Sequence, residues 1–347
     1  MAEKKKSVYS NIADDIIEKI KVGKYPVGSL LPPEREFMSV YSVQRTTIRR
    51  GLHILALQGY IQKVAGLGSV VKSSVPVSSG IENKAVKETN KENSETFSLL
   101  LPENKSLEKL PALALGTVSC LEKYGVRFMT DTISEIDKAS GIIALDCDAD
   151  TDKSICLALC QSDERRSVIP DNDKGAYVAL TYLEELGHTK IAFIGTNKGY
   201  SFENAAYDSF CTVNSFLDEE LINLEGADEK SGFDGFSELF RRHGNKFTAI
   251  CTVNDAVAKG VLKAAKYYKL DVPKDLSVIS LCSADRNSEI DAIFYSPDDL
   301  AEEIIESARA SKRVSTVLFG GNLSKKGTCS SIKSSSDGEK NMSDFLL

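Results

Sequence analysis

Residues 175–195 read GAYVALTYLEELGHTKIAFIG. In the first half Ala176, Leu180 and Leu183 recur at helical spacing on one face, and Gly187 supplies a stop. In the second half residues 191–195 form an unbroken apolar run of strand length. A helix closed by glycine and followed at once by a buried strand is half of a βαβ unit. The alternation returns at residues 248–253, a helix over 255–268 and an apolar run at 277–282. Upstream, runs at 97–101, 126–130 and 141–145, with a helix across 110–124, fit the same pattern. Strands alternating with helices predict an α/β body with a parallel sheet and right-handed crossovers. Ligands of such sheets bind beyond the carboxyl ends of the strands. Those ends are Thr196, Asn254-Asp255 and Cys282-Ser283.

The rest of the chain sets bounds on this body. Its 347 residues are 42% apolar and 27% charged, enough for about two domains with packed cores. Collagen-like, disulfide-framework and wholly disordered chains are excluded. No apolar run reaches the roughly 18 residues a membrane helix needs. No apolar segment follows Met1-Ala2-Glu3-Lys4-Lys5-Lys6, so no secretory signal and a cytoplasmic location are expected. All eight cysteines lie between Cys120 and Cys329 without a Cys-x-x-Cys pair, and reduced, buried thiols are expected. Cys147, Cys156 and Cys160 match no zinc spacing, and His53, His188 and His243 lie far from them. No metal and no cofactor are expected; His188, after a helix-ending glycine, reads as structural.

The net charge of −7 is an average over unlike parts. Residues 1–72 hold 12 Lys+Arg against 6 Asp+Glu, whereas residues 73–347 hold 31 against 44. A small basic module on a large acidic body points to polyanion binding by one end. Between them residues 73–95 have no aromatic residue and no periodicity, and read as a flexible linker. Residues 96–332 form the α/β domain, and residues 333–347 read as a polar tail.

Within residues 1–72, Ile12, Ile16 and Ile20 mark an amphipathic helix over 10–22, ended by Gly23. Pro33 opens a second helix at its first position, and a third spans 44–58 before Gly59. Two short apolar runs around Ala65-Gly66-Leu67-Gly68 then read as a hairpin. Three helices and a hairpin, with two helices joined by a tight turn, describe a winged helix-turn-helix. On the third helix Ile48, Leu52 and Leu55 form the inward stripe, while Arg45 and Arg49 share a face flanked by Thr46 and Arg50. From Gln44 to Lys63 there is no acidic residue. Such a face fits the DNA major groove, where arginine grips guanine with two hydrogen bonds and neighbours reach phosphates.

Five motifs in order resemble the GntR-type DNA-binding domain: Tyr9-x-x-Ile12-Ala13, Leu31-Pro32-Pro33-Glu34-Arg35-Glu36, Arg45-Thr46-Thr47-Ile48-Arg49, Gly59-Tyr60-Ile61 and Gly66-x-Gly68. The resemblance covers residues 7–72. It implies that Arg35 clamps the backbone or a base, that Arg45 and Arg49 read base edges and that Thr47 meets a phosphate. It also implies that Gly66, Leu67 and Gly68 carry the wing into the minor groove. In the body, Asp171-Asn172-Asp173-x-Gly175-Ala176, residues 186–195, Ala249-Ile250-x-x-x-Asn254-Asp255 and Val272-Pro273-x-Asp275-Leu276-Ser277-Val278 resemble the sensor domain of LacI/GalR repressors. That implies two Rossmann-like lobes of periplasmic-binding-protein type closing on a ligand. The combination is similar to the arabinose-repressor architecture.

The resemblance places effector contacts at Asp171, Asn172, Thr196, Glu203, Asn254, Asp255 and Ser283. Asp255 also suits a helix N-cap, and Asp-Asn-Asp a turn. Two positions depart from the family: Glu203 stands nearest to its effector-gripping Arg, and Cys282-Ser283 replace its Asp pair. The expected function is a ligand-responsive transcription regulator, a repressor, with double-stranded operator DNA, a sugar or other small effector and a second copy of the chain as partners. The alternative is a constitutive DNA binder whose degenerate sensor only dimerises. An enzyme is not expected: Gly66-Leu67-Gly68 precedes a strand instead of opening a helix, and no nucleophile elbow or phosphate loop occurs.

Overall fold

The structure, a computed structural model, describes residues 8–43, 45–57, 59–64, 68–74, 97–101, 110–128, 141–147, 155–162, 164–214, 221–310 and 314–332. The chain divides into two compact units, the first within Met1–Glu92 and the second beginning at Asn93. Apart from Ser73 and Ser74, the expected linker lies outside the described residues, as does the tail from residue 333.

In the first unit, helices α1 (Val8–Lys21), α2 (Glu34–Tyr41) and α3 (Arg45–Leu57) precede an antiparallel hairpin of β1 (Ile61–Val64) and β2 (Gly68–Val71). The predicted stripe of α1 is the core: Ile12, Ile16, Ile17 and Ile20 are buried together with Phe37, Ile48, Leu52 and Leu55. Gly51 lets α1 and α3 cross closely, since a Cβ there would lie 3.3 Å from both Ile12 Cγ2 and the Tyr9 carbonyl. Tyr41 of α2 donates its hydroxyl to Asp15 of α1 at 2.5 Å, and Lys19 donates to the same oxygen. Pro33 does not occupy the first helical position. It is the N-cap in extended backbone (φ −63°, ψ 152°), and its carbonyl accepts from Glu36 N at 2.9 Å, which is what a cap residue does. Leu30 bridges Val70, so the hairpin gains a third, short edge.

The second unit contains two six-stranded sheets, each the centre of a lobe. The first lobe uses β3 (Phe97–Leu100), β4 (Arg127–Phe128), β5 (Gly141–Leu145), β6 (Ile155–Ala158), β7 (Arg166–Pro170) and β13 (Thr316–Phe319). Their order is β13-β7-β6-β5-β3-β4, parallel throughout. Helices α4 (Ala112–Lys123) and α9 (Pro297–Arg309) pack against each other, and α9 covers β5, β6 and β7. The second lobe uses β8 (Ile191–Gly195), β9 (Leu221–Asn223), β10 (Ala249–Thr252), β11 (Ser277–Ser283), β12 (Asp291–Phe294) and β14 (Asn322–Ser324). The order is β14-β12-β11-β10-β8-β9, with only β14 antiparallel to its neighbour. Around it stand α5 (Asn172–Glu185), α6 (Ser201–Asn214), α7 (Glu229–His243) and α8 (Asp255–Tyr267). β8 and β10 read as near-continuous apolar runs because both faces are covered, and β11 is buried along its whole length with Ser277, Ser280 and Ser283 among its residues.

Helix α5 begins three residues before the predicted start, because Asp171 caps it by accepting from Lys174 N at 3.1 Å. Helices α7 and α8 meet at two glycines. A Cβ on Gly260 would lie 2.0 Å from the Glu229 carbonyl oxygen, and one on Gly232 would lie 2.2 Å from that of Val257. His188 is buried between Thr248 Oγ1 (2.9 Å) and the Ser330 carbonyl (3.0 Å), in keeping with a structural role. Burial lowers its pKa.

The chain passes between the lobes three times: after β7 at Asp171, after β12 at Tyr295-Ser296, and between β13 and β14 at Gly320-Gly321. These crossings meet on one side chain. Tyr295 is wholly buried and donates its hydroxyl to the Asp171 carbonyl at 3.3 Å. Asp171 N in turn donates to Phe319 O at 2.8 Å. A Cβ on Gly321 would lie 2.8 Å from Tyr295 Cζ, and one on Gly175 would lie 2.9 Å from its hydroxyl.

Candidate functional site

Two surfaces carry the residues that the sequence singles out. In the first unit α3 brings positions 45, 46, 47, 49 and 50 onto one helix. Ile48, Leu52 and Leu55 define its core side. Arg35 stands exposed on α2, and Thr47 is half-buried. The side chains of Arg45, Thr46, Arg49 and Arg50 lie outside the described residues, as do Gly66 and Leu67 at the hairpin tip. Gly68 opens β2.

The second surface is a cleft of about 420 Å³ between the lobes. The start of α4, with Leu110 and Leu113, forms one wall; the residues around the N-termini of α6, α7 and α8 form the other. Glu203, Asn254 and Asp255 lie in that second wall. Glu203 is 2% exposed. Its Oε1 accepts from Asn254 Nδ2 at 2.7 Å and its Oε2 from the Tyr200 backbone N–H at 3.2 Å, the reach-back of a capping box at the start of α6. Asn254, not Asp255, is the N-cap of α8: its Oδ1 accepts from Val257 N at 2.9 Å. Asp255 Oδ2 accepts from the Ser283 hydroxyl at 2.6 Å. Burial raises the Asp255 pKa, and the Ser283 hydrogen bond opposes that rise.

The other expected contacts are held in the frame. Asp171 caps α5, Asn172 Nδ2 donates to Phe202 O at 3.2 Å, and Thr196, wholly buried, donates to Leu224 O at 2.8 Å. Ser283 sits behind Asp255 at the end of β11. The cleft also uses residues that sequence reasoning passed over: Lys198, Tyr200, Phe202 and Asp228. Asp228 is legible in retrospect as an N-cap, since it accepts from Ser231 N at 2.7 Å, which lowers its pKa. Lys198 holds Glu225 at 2.5 Å.

The fold is therefore that of a winged helix-turn-helix followed by a two-lobed, doubly wound α/β domain with an interlobe cleft. Residues 8–71 match the bacterial regulatory proteins of the gntR family, and residues 180–297 match the periplasmic binding protein-like domain. The chain carries a GntR-type helix-turn-helix domain and a periplasmic-binding-protein-like domain. It is 39% identical over 85 residues to the HTH-type transcriptional regulator TreR of Bacillus subtilis, which spans 23% of this chain and 36% of TreR. It is 29% identical over 120 residues to the regulator GalR of Escherichia coli, spanning 33% of this chain and 35% of GalR. The chain thus matches about a third of the length of these relatives. Among solved structures, the E. coli transcriptional repressor ascG superposes with a TM-score of 0.57 at 16% identity, covering 68% of this chain and all (100%) of that one. A LacI family regulator from Enterococcus faecium, solved with bound ribose, gives 0.53 at 17% identity, covering 69% and 100%. All four are described as transcription regulators and none as an enzyme. No helix among the described residues is long and apolar enough to cross a membrane.

Proposed function

We propose that this chain is a cytoplasmic, ligand-responsive transcription regulator, acting as a repressor. Residues 1–72 bind operator DNA, residues 73–95 tether them, and residues 96–332 sense a small molecule and pair two copies of the chain. The observation that carries this reading is the union in one chain of an acid-free recognition helix and an open cleft between two lobes. Arg45, Thr46, Arg49 and Arg50 contact the major groove, Arg35 and Thr47 the backbone, and the segment from Gly66 to Gly68 the minor groove. Effector binding closes the lobes and changes the spacing or freedom of the paired reading heads. The effector is a small molecule, with sugars as the first class to screen given the ribose-bound structural neighbour. A domain that served only for pairing would have no need of an open cleft with buried carboxyl groups in its wall.

Operator selection on the full chain, with and without small-molecule panels, tests the whole reading. Affinity for the selected site is expected to fall steeply with salt, as counterions are released from neutralised phosphates. Arg49→Ala is expected to weaken specific binding by about 1–3 kcal/mol while leaving the thermal midpoint unchanged. An unchanged operator affinity in that variant would overturn the assignment of α3 as the reading helix.

A further inference from the structure

Of the eight cysteines, Cys147, Cys160 and Cys211 are half-buried and the others buried. Two of the half-buried thiols meet in the first lobe. Leu145 of β5 lies opposite Ala158 of β6, and the pairing runs past the strand end, where Asp146 N donates to the Ala158 carbonyl at 2.9 Å. That register, carried forward, sets Asp146 beside Leu159 and Cys147 beside Cys160. The two cysteines do touch: Cys160 Sγ lies 3.8 Å from the Cys147 carbonyl oxygen.

The backbone brings both thiols to one side of the sheet. Ile142 and Ala144 of β5 share a face with Ile155 and Leu157 of β6, and strict alternation would next present Asp146 and Leu159 there. Both residues instead adopt left-handed backbone, with φ 51° and 64°, at facing positions. Leucine rarely does so. The paired kinks break the alternation, and Cys147 and Cys160 pack against that same apolar cluster. Neighbouring strands stand about 4.8 Å apart, and the Cα atoms of a disulfide span about 4.4–6.8 Å. Its Cβ atoms, however, must come within about 3.8 Å of each other. Closing a bridge here therefore draws the two strand ends together, and bridges under strain are the readily reduced, regulatory kind. Other thiols are poorly suited to exchange: burial pushes Cys156 up to about 12 and holds Cys251 and Cys282 well above the usual thiol range. Asp146 extends the reach of the pair beyond its own lobe. Its Oδ1 accepts from the backbone N–H of Ser201, the first residue of α6 in the second lobe, at 3.0 Å. Because Asp146 directly precedes Cys147, a shift of the strand end moves this contact.

We propose that Cys147 and Cys160 form a reversible disulfide, closed by a peroxide, that shifts Asp146 and weakens its hold on Ser201. One thiolate attacks the O–O bond of hydrogen peroxide, giving a sulfenic acid and hydroxide, which takes up a proton. The second thiol attacks that sulfur, the S–S bond forms and water leaves. Two thiols thus lose two electrons and two protons, and the peroxide becomes two waters. The inference depends neither on DNA binding nor on a ligand in the cleft. Its test is to expose the full chain to hydrogen peroxide and map non-reduced digests by mass spectrometry, beside a sample returned to dithiothreitol. Two of the eight thiols disappear, the peptides of Cys147 and Cys160 are joined, and dithiothreitol separates them. Sulfinic acid at either residue without a joined peptide, or a bridge from Cys160 to Cys156, would overturn the pairing. Cys147→Ser and Cys160→Ser each abolish the joined peptide, whereas Cys211→Ser keeps it. The parent chain alone decides the pairing should a variant fail to fold. Asp146→Asn reads the link to the second lobe, since it keeps a side chain that tolerates left-handed backbone and removes the charge. It lowers the thermal midpoint of the reduced chain, and lowers that of the oxidised chain by less than half as much. Equal losses in the two states would mean that the bridge leaves Asp146 in place, and would overturn the coupling.

Discussion

Tyr295→Ala is expected to destabilise the second unit by about 3–5 kcal/mol, the range for removing a fully buried aromatic side chain. In a unit of this size that lowers the thermal midpoint by roughly 10 °C. The site is unforgiving because Tyr295 fills the place where the three crossings between the lobes meet, close to Gly321 and with its ring centroid 6.4 Å from that of Phe319. Gly175 and Gly321 beside it have no side chains to fill the space, so the cavity has little freedom to collapse. Tyr295→Phe removes only the hydrogen bond to the Asp171 carbonyl and is expected to cost about 1 kcal/mol. Gly175→Ala supplies a coupling test, since its Cβ would meet the Tyr295 hydroxyl at 2.9 Å. It is expected to destabilise the parent and to be tolerated in the Tyr295→Phe background, a positive coupling read by a double-mutant cycle. Additive effects in urea denaturation would contradict this packing.

The second large effect is expected at Gly260. Alanine is intrinsically the better helix former by about 1 kcal/mol, so an exposed glycine replaced in α8 would stabilise. Here the new methyl group meets the Glu229 carbonyl oxygen at 2.0 Å and Phe233 N at 2.6 Å. Both are backbone atoms that no rotamer change can move, so α7 and α8 must separate. The overpacking outweighs the propensity, and Gly260→Ala is expected to lose about 3 kcal/mol. Lys266→Ala, on the exposed side of the same helix, is the control and stays within about 0.5 kcal/mol. Equal midpoints for Gly260→Ala and the parent would mean that the helices do not touch through their main chains.

That crossing also explains why part of the fold was hard to read. Residues 229–243 contain Gly232 and Gly235, which look like helix breakers in a single sequence, and α7 was not anticipated. The glycines are there because another backbone and the side chains of Leu224 and Ile222 press on them, a tertiary fact with no local signal. The neighbouring α5, β8, β10 and α8 were legible because each carries its own period or an unbroken apolar run. The edge strand β13 was not, because its residues are alternately exposed and half-buried and its neighbour β7 is distant in sequence. In the cleft the strand ends pointed to Asn254 and Asp255, yet Thr196, at a strand end too, is wholly buried and bonded to Leu224. Position at a strand end locates a region, whereas hydrogen-bond partners decide which side chains remain available. Residues from the first lobe, such as Leu113, entered the cleft only through the relative placement of the two sheets.

The three crossings also set an order of completion as the chain leaves the ribosome. All of residues 172–294 emerge before α9 and β13, so the first lobe waits with β7 at an open edge and β5 to β7 uncovered. Leu300, Ala301, Ile304 and Ile305 then arrive on α9 to cover them, and β13 and β14 follow within a few residues to finish one sheet each. Neither lobe is a separable cassette. A nascent chain stopped after residue 310 would lack an edge strand in both sheets, so the domain is completed nearly all at once, by its final strands.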